Sequence, residues 1–286
     1  MTNKEGFIQL PWGSLWYKTV GSSDLPPLLI VHGGPGYPSD YLWNLEALSD
    51  KHQVVFFDQI GCGRSSHTRD PKFCTIEYFV QELVAVIEKL NLKNIDLFGH
   101  SWGAMLAVEY LLTQPSEIKR AIFASPCLSL KRWKETTDRY LAELPNNYGI
   151  LIREYEENGK GEVREYKIAR TLYYKTYECR MQQEPSLIKA AKHGFNREVY
   201  LRMWGPNEYT VSGNLAEYDR SERLKELTLP TLFTGGRFDG ASPEDVAFYQ
   251  AQIAGSKLQI FEKSSHLPHL EEPGQYLECL KIFLNN

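Results

Sequence analysis

Short apolar runs alternate with segments of helical periodicity along the first 125 residues. The runs with the length and composition of buried strands are residues 15–20, 28–31, 54–57, 95–98 and 118–124. Between them, apolar residues recur at helical spacing from Ile76 to Leu90, which predicts a helix that Thr75 can cap at its start. A second helix is predicted over 102–112. Because strands and helices take turns, the pattern predicts a mostly parallel sheet with helices on both faces.

The pattern changes after residue 125. Residues 127–221 are richer in charge and in tyrosine, and they are predicted to be helical, most clearly over 133–144 and 162–179. Alternation of strands and helices then resumes, with strands predicted at 232–234 and 257–261 and helices at 243–253 and 274–284.

A helical insert between two stretches of one sheet protein indicates a cap. We therefore predict an α/β core formed by residues 1–125 and 222–286, with residues 126–221 inserted as a helical cap domain. The cap is expected over the carboxyl edge of the sheet, which is where open α/β sheets bind their ligands.

The composition is that of an ordinary globular protein in water. Of the 286 residues, 42% are hydrophobic and 24% are charged, and the net charge is -4, with Lys and Arg scattered through the chain. This balance does not favour a nucleic-acid partner. No apolar run approaches the roughly 18 residues of a membrane span, and the N-terminus opens no apolar stretch of the kind that begins a secretory signal.

The five cysteines match neither a disulfide framework nor a zinc site, because their number is odd and no Cys-x-x-Cys pair occurs. The sequence therefore predicts reduced thiols in a cytoplasmic protein. Cys62 and Cys127 follow loop signals that can place them near a cleft, but neither has the local sequence of a catalytic cysteine.

The segment 99–103 reads Gly-His-Ser-Trp-Gly and matches the pattern G-x-S-x-G. It follows a predicted strand and opens a predicted helix, as a nucleophile elbow does, and its glycines suit a tight turn. The alternative is that Ser101 only caps the helix that follows. The pattern predicts Ser101 as a nucleophile, provided that a base and an acid lie near it.

A serine hydroxyl needs a base to take its proton, and in this arrangement the acid and then the histidine follow the serine along the chain. Asp239 comes just after the strand at 232–234, and His266 comes just after the strand at 257–261. Both are therefore expected at the same sheet edge as Ser101. His269, three residues further on, is the rival base, and we predict His266.

The oxyanion of a tetrahedral intermediate needs backbone donors that are already in place. One is predicted to be the N–H of Trp102, directly after the nucleophile, and the other should come from the glycine-rich loop 32–36. In that loop we favour Gly34, with Gly33 next. The loop lacks the Lys-Ser/Thr continuation of a phosphate-binding loop.

Together these segments resemble the proline iminopeptidases and the related amino-acid amidases of the α/β-hydrolase superfamily. The resemblance covers nearly the whole chain and rests on segments 32–36 (His-Gly-Gly-Pro-Gly), 58–65 (Asp-Gln-x-Gly-x-Gly-x-Ser), 99–103 and 205–209 (Gly-Pro-Asn-Glu-Tyr), with Asp239 and His266. It implies an α/β-hydrolase fold with an inserted helical cap. It also implies cleavage of a small N-terminal residue, often proline, from short peptides or amides, with no metal and no cofactor.

The resemblance matches Glu208 to a glutamate that binds the amine of the substrate. A carboxylate in a partly dry pocket can recognise a free ammonium through a charge-assisted hydrogen bond. Aromatic residues of the predicted cap are candidates for an apolar wall around the substrate ring: Tyr173, Tyr174, Tyr177 and Trp204. Each of them also fits ordinary core packing.

The chain departs from the resemblance at Gly240, where many members of the family carry a second acidic residue for amine binding. Glu244 and Asp245 are close in sequence, but they lie at a predicted helix start, where carboxylates are favoured anyway. The departure predicts weaker amine binding and broader specificity.

The sequence as a whole predicts a serine hydrolase that acts through an acyl-enzyme on small peptides or amino-acid amides. The main alternative is a carboxylesterase or general acyl or amide hydrolase on the same fold. A catalytically silent binding protein with this fold is a third possibility. No membrane partner is predicted, and the oligomeric state is left open.

Overall fold

The computed structural model describes residues 3–67, 70–158 and 163–285. Within them, eight strands form one sheet: β1 (Asn3–Leu10), β2 (Gly13–Val20), β3 (Pro27–Val31), β4 (Gln53–Phe57), β5 (Ile95–His100), β6 (Ile118–Ala124), β7 (Thr231–Gly236) and β8 (Lys257–Phe261). Their order is β1-β2-β4-β3-β5-β6-β7-β8. β2 runs antiparallel to β1 and to β4, and every other neighbouring pair is parallel. The predicted mostly parallel sheet is confirmed.

Ten α-helices flank or overlie this sheet in the same part of the chain: α1 (Ile76–Lys89), α2 (Trp102–Leu111), α3 (Leu130–Glu143), α4 (Tyr148–Glu157), α5 (Arg164–Tyr177), α6 (Ser186–His193), α7 (Arg197–Met203), α8 (Pro243–Ala251), α9 (Pro268–Glu271) and α10 (Pro273–Leu284). Short 3-10 helices occupy Ser39–Leu48, Pro71–Phe73, Pro145–Asn147 and Ser221–Glu226. The helix predicted over 162–179 corresponds to α5, although residue 162 lies outside the described residues.

The core consists of hydrophobic clusters on both faces of the sheet. β3 is buried along its whole length and β4 over its last four residues, which explains why their sequences are continuous apolar runs rather than alternating ones. Successive residues of β3 divide between the two faces, with Leu29 in the cluster that contains α1 and α2 and Ile30 in the cluster that contains α10. A third, separate cluster draws only on residues between 140 and 209, so the helices there have a small core of their own.

The carboxyl edge of the sheet gathers the segments that the sequence analysis selected. β3 leads into the glycine-rich loop 32–36, β5 ends at Ser101, β7 leads to Asp239, and β8 leads to His266. Since these four strands are parallel members of one sheet, their following loops share one edge. None of the helices that the structure describes combines the length and the apolarity needed to cross a membrane.

Candidate active site

Ser101 lies in a strained turn between β5 and α2. Its backbone has φ 54° and ψ −119°, and its side chain makes no capping hydrogen bond to the helix, so the interpretation as a simple helix cap is wrong. A Cβ atom on Gly99 would lie 2.5 Å from the Gly103 carbonyl oxygen, and one on Gly103 would lie 2.2 Å from the Val31 carbonyl oxygen. The turn therefore needs both glycines, and a strained residue held by such packing is typical of a functional position.

Asp239 and His266 form a buried pair. His266 Nδ1 lies 2.7 Å from Asp239 Oδ1, which also accepts a 2.9 Å hydrogen bond from the backbone N–H of Ala241. Asp239 is fully buried, and His266 is 8% exposed. His266 and Ser101 line the same cavity without a direct hydrogen bond between their side chains, and such contacts often tighten only with substrate.

The charge of His266 depends on the acids around it. Burial lowers the pKa of His266, but the charge and hydrogen bond of Asp239, together with the charges of Glu178 and Glu208, raise it to about 10. The free imidazole would thus carry a proton near neutral pH. Any cation that neutralises these carboxylates lowers the pKa again, which is the direction that a general base requires.

The neighbouring histidines are structural. His100 Nε2 donates to the His266 carbonyl oxygen at 3.0 Å, so its Nδ1 accepts a 2.9 Å hydrogen bond from the Tyr41 hydroxyl. His269 is fully buried, lies 3.1 Å from the Tyr41 carbonyl oxygen through Nε2, and has its pKa lowered to about 3 by burial. The structure thus brings His266, and not the rival His269, to Asp239.

The predicted oxyanion donors differ in whether their backbone N–H groups already donate a hydrogen bond within the protein. The N–H of Gly33 already donates to the Tyr41 hydroxyl at 2.7 Å, which counts against Gly33. Gly34 lines the cavity beside Ser101, and its φ of +122° and close backbone neighbours require glycine. Trp102 is the first residue of α2, where backbone N–H groups have no partner within the helix.

The cavity at this edge has a volume of about 840 Å³, within the range of small-molecule sites. Its wall includes Gly34, Ser101 and His266 from the loops at the sheet edge. It also includes Tyr174, Glu178 and Glu208 from the segment 126–221. Two of the predicted substrate-binding residues, Tyr174 and Glu208, are therefore in the same space as the predicted nucleophile.

Trp204, the third predicted substrate-binding residue, does not line this cavity. It is 1% exposed and packs edge-on against Trp133, with 5.4 Å between ring centroids. Trp133 in turn lies edge-on to His266, at 5.9 Å. Tyr173 and Tyr177 belong to the separate helical cluster. Of the four aromatic residues considered for the wall, only Tyr174 lines it, and a direct substrate contact by Trp204 is not supported.

Two hydrogen bonds fix the position of Glu208, one to its carboxylate and one to its backbone. The Tyr200 hydroxyl donates to Glu208 Oε1 at 2.5 Å, and the indole Nε1 of Trp133 donates to the Glu208 carbonyl oxygen at 2.7 Å. Burial raises the pKa of the Glu208 carboxyl group, while the hydrogen bond from Tyr200 and the charge of His266 act in the opposite direction. No lysine or arginine among the described residues forms an ion pair with it.

Glu178 is the cavity residue that the sequence analysis missed. It caps the C-terminal end of α5, and its Oε1 atom is buried without a hydrogen-bond partner. Burial and the nearby charge of Glu208 raise the pKa of its carboxyl group well above the ordinary value. Nothing in the sequence marks it, because the surrounding segment is rich in charged and tyrosine residues.

Gly240 is packed against an aromatic ring. A Cβ atom at this position would lie 2.8 Å from Cη2 and 3.0 Å from Cζ2 of Trp133. The indole of Trp133 thus fills the space that a side chain at position 240 would need.

The remaining residues that the sequence analysis singled out, Cys62, Cys127 and the segment that begins at Asp58, do not line this cavity. All five cysteines are unpaired, and burial raises the pKa of the Cys62 and Cys127 thiols well above the ordinary value, which disfavours their nucleophilic thiolates. Asp58 accepts hydrogen bonds from the backbone of Ser39 and Arg64 and so holds a turn. No cluster of three or more His, Cys, Asp or Glu residues suited to a metal ion occurs among the described residues.

Comparison with known proteins places this geometry in a family. Residues 26–273 match a family described as the alpha/beta hydrolase fold. A proline iminopeptidase from Heyndrickxia coagulans is 39% identical over 284 residues, which covers 99% of each chain. The solved structures of VinJ and of a proline iminopeptidase from Mycobacterium smegmatis match with TM-scores of 0.94 and 0.92 at 30% and 28% identity, each covering 99% of this chain and 98% of the other. The chain therefore belongs to the proline iminopeptidase family of the α/β hydrolases.

Proposed function

We propose that this protein is a serine aminopeptidase that releases an N-terminal proline, or another small residue, from short peptides or amino-acid amides. The observation that carries the proposal is the Asp239–His266 hydrogen bond at the wall of a cavity that also contains Ser101 and Glu208. The full-length relatives named proline iminopeptidase support the same substrate class.

The proposed reaction begins with attack of the Ser101 hydroxyl oxygen on the substrate carbonyl carbon, while His266 takes the hydroxyl proton. Asp239 holds the imidazole through Nδ1 and stabilises its positive charge. The negative oxygen of the tetrahedral intermediate accepts hydrogen bonds from the backbone N–H groups of Gly34 and Trp102.

The intermediate then collapses, and His266 gives its proton to the departing amine. Water, activated by the same histidine, attacks the acyl-enzyme and releases the free amino acid, which regenerates Ser101. Throughout both steps, Glu208 holds the substrate's ammonium group, so that only a residue with a free amino end is positioned for attack.

We also propose that residues 126–221 act as a cap domain on a core of residues 1–125 and 222–286. Support comes from the separate hydrophobic cluster within 140–209 and from the position of Glu208 in the cavity wall. Such a cap limits the length of chain that can lie beyond the amine. The five unpaired cysteines fit a reducing compartment, and we place the enzyme in the cytoplasm.

A parallel assay of proline β-naphthylamide and p-nitrophenyl acetate tests the proposed function. We expect wild type to hydrolyse the amide, and Ser101→Ala to lower this rate by at least about 10⁴-fold because the nucleophile is lost. The exposed Ser22→Ala serves as the matched control and should leave the rate unchanged.

Each other outcome has a definite meaning. Hydrolysis of the acetate alone would favour the carboxylesterase alternative. If neither substrate reacts and a fluorophosphonate probe fails to label Ser101, the protein is a binding protein on a hydrolase fold. Full activity of Ser101→Ala would assign the nucleophile elsewhere.

A further inference from the structure

We propose that Glu178 is a second amine-binding carboxylate, which together with Glu208 holds the protonated N-terminus of the substrate. The inference rests on the proposed aminopeptidase function and adds a specificity-determining residue to it. It also reverses the expectation that amine binding is weak because position 240 is glycine.

The carboxylates of the proposed amine site belong to one cavity. Glu178 and Glu208 both line the cavity that contains Ser101 and His266, and each raises the pKa of the Tyr174 phenol, which also lines the wall. They are close enough to each other that the charge of Glu208 is the main effect on Glu178 after burial. A ligand in this cavity therefore meets both acids at once.

Apart from the charge of His266, neither carboxylate has a cationic side chain beside it as an ion-pair partner in the described part of the chain. Among the residues that the structure describes, no lysine or arginine forms an ion pair with Glu178 or Glu208. Other acids close by are compensated: Glu184 pairs with Lys192, and Glu271 accepts bonds from Ser265. Two neighbouring, partly buried carboxylates are costly unless a cation or a shared proton joins them, so the pair favours a cationic ligand.

The number of free acceptors fits a secondary ammonium. Glu208 Oε1 already accepts the Tyr200 hydroxyl, which leaves its other oxygen for a ligand, and Glu178 Oε1 is buried without any partner. The protonated nitrogen of an N-terminal proline carries two N–H donors, one for each carboxylate. A neutral or acylated N-terminus cannot supply two charge-assisted bonds.

Trp133 explains why the second acid comes from α5. Its ring occupies the space beside Gly240 and its indole nitrogen bonds the Glu208 backbone, so an acid at position 240 would displace the residue that fixes Glu208. Glu178 reaches the same cavity from the C-terminal end of α5 without disturbing Trp133.

The test compares Glu178→Gln with wild type on proline β-naphthylamide and on p-nitrophenyl acetate. Losing one charged hydrogen-bond acceptor should raise KM for the proline amide about 30-fold, while kcat/KM for the neutral ester, taken on the plateau above the acidic limb of its pH profile, stays within about 3-fold. The matched control is Glu184→Gln, which removes a carboxylate already paired with Lys192 and should change neither value. Glu178→Asp, which keeps the charge on a shorter side chain, should recover part of the affinity.

A direct binding measurement keeps this inference separate from the proposed function. Pyrrolidine, the cyclic secondary ammonium alone, should inhibit ester hydrolysis competitively, and Glu178→Gln should raise its inhibition constant at least about 10-fold, whereas neutral cyclopentanol should show no such change. If wild type fails to cleave the proline amide but pyrrolidine inhibition still depends on Glu178, the proposed function fails and the amine site stands. If inhibition and KM are unchanged in folded Glu178→Gln, the assignment of Glu178 is overturned.

Discussion

At the scale of single residues, the pKa of His266 depends on two opposing effects, burial and the negative charges of three acids. Burial favours the neutral imidazole, but Asp239, Glu178 and Glu208 together raise its pKa to about 10. The buried ring of His100 packs edge-on to it, and the buried ring of His269 packs on His100; burial lowers the pKa of each, so both are neutral and add no charge. His266 is therefore ready to accept a proton only after the negative charge beside it is reduced.

The raised pKa of His266 predicts the pH dependence of ester hydrolysis. A base with a raised pKa is active only above that pKa, so the acidic limb of kcat/KM for p-nitrophenyl acetate should lie well above the 6.5 of an ordinary histidine. Glu208→Gln removes a charge that raises the pKa, so the limb should move to lower pH. The measurement is a pH profile of each variant, with Ser101→Ala as the blank. Glu184→Gln should leave the limb in place, and an unmoved limb in Glu208→Gln would show that Glu208 does not act on His266.

The residues of the site differ in how readily a sequence reveals them. Ser101, Asp239 and His266 were predictable positions because a tight turn demands glycines and because strand ends in a parallel sheet converge. Gly33 was less predictable, since its donor is taken by the Tyr41 hydroxyl eight residues away. Glu178 had no signal at all, because its importance comes from burial and a missing partner rather than from residue type.

At the scale of elements, the strands buried on both faces were the most predictable, and the edge strand was the least. β3 and β4 appear as apolar runs because both faces of the sheet are covered there. β1 was not predicted, because most of its residues are exposed, including Asn3, Lys4 and Glu5. The helices α4, α6 and α7 were not predicted individually, because they are short, rich in charged residues, and bury only two or three residues each.

The helix α3 supports the site through one hydrogen bond, and this gives a prediction. Trp133→Phe keeps an aromatic ring beside Gly240 but removes the indole N–H that donates to the Glu208 carbonyl oxygen. We expect KM for proline β-naphthylamide to rise about 3- to 10-fold, the effect of one lost hydrogen bond, with little change for p-nitrophenyl acetate. Equal losses on both substrates would mean that Trp133 acts on His266, against which it also packs, rather than on Glu208.

At the scale of the whole molecule, a buried carboxylate links helix α3 to helix α8, which packs on β7 and β8. Asp245 of α8 accepts hydrogen bonds from Arg132 and Thr136 of α3, each at 2.8 Å, and from Ser242 at 2.7 Å. Glu244, its neighbour, is largely exposed and lies 3.8 Å from Arg139. The sequence placed both acids at a helix start, but it could not show that Asp245 is the buried one, with three hydrogen bonds, and Glu244 the exposed one.

Asp245→Asn should therefore weaken the whole fold more than Glu244→Gln does. Breaking a mostly buried, hydrogen-bonded pair costs about 2 kcal/mol in the free energy of unfolding, whereas an exposed pair contributes about 0.5 kcal/mol or less. Urea unfolding followed by circular dichroism measures both. A separate early transition in Asp245→Asn would show that residues 126–221 unfold as a unit, and identical midpoints for the two variants would contradict the linking role of Asp245.

The acidic wall of the cavity also bears on how a turnover ends. A substrate amide is neutral at the reacting carbon, but hydrolysis of the acyl-enzyme leaves a carboxylate at the same place, close to Asp239, Glu178 and Glu208. Like charges at this distance repel each other in a partly dry space. The released amino acid keeps the ammonium group by which the cavity held the substrate, but its new carboxylate is repelled. The product should therefore bind more weakly than the substrate, which favours rapid product release and weak product inhibition.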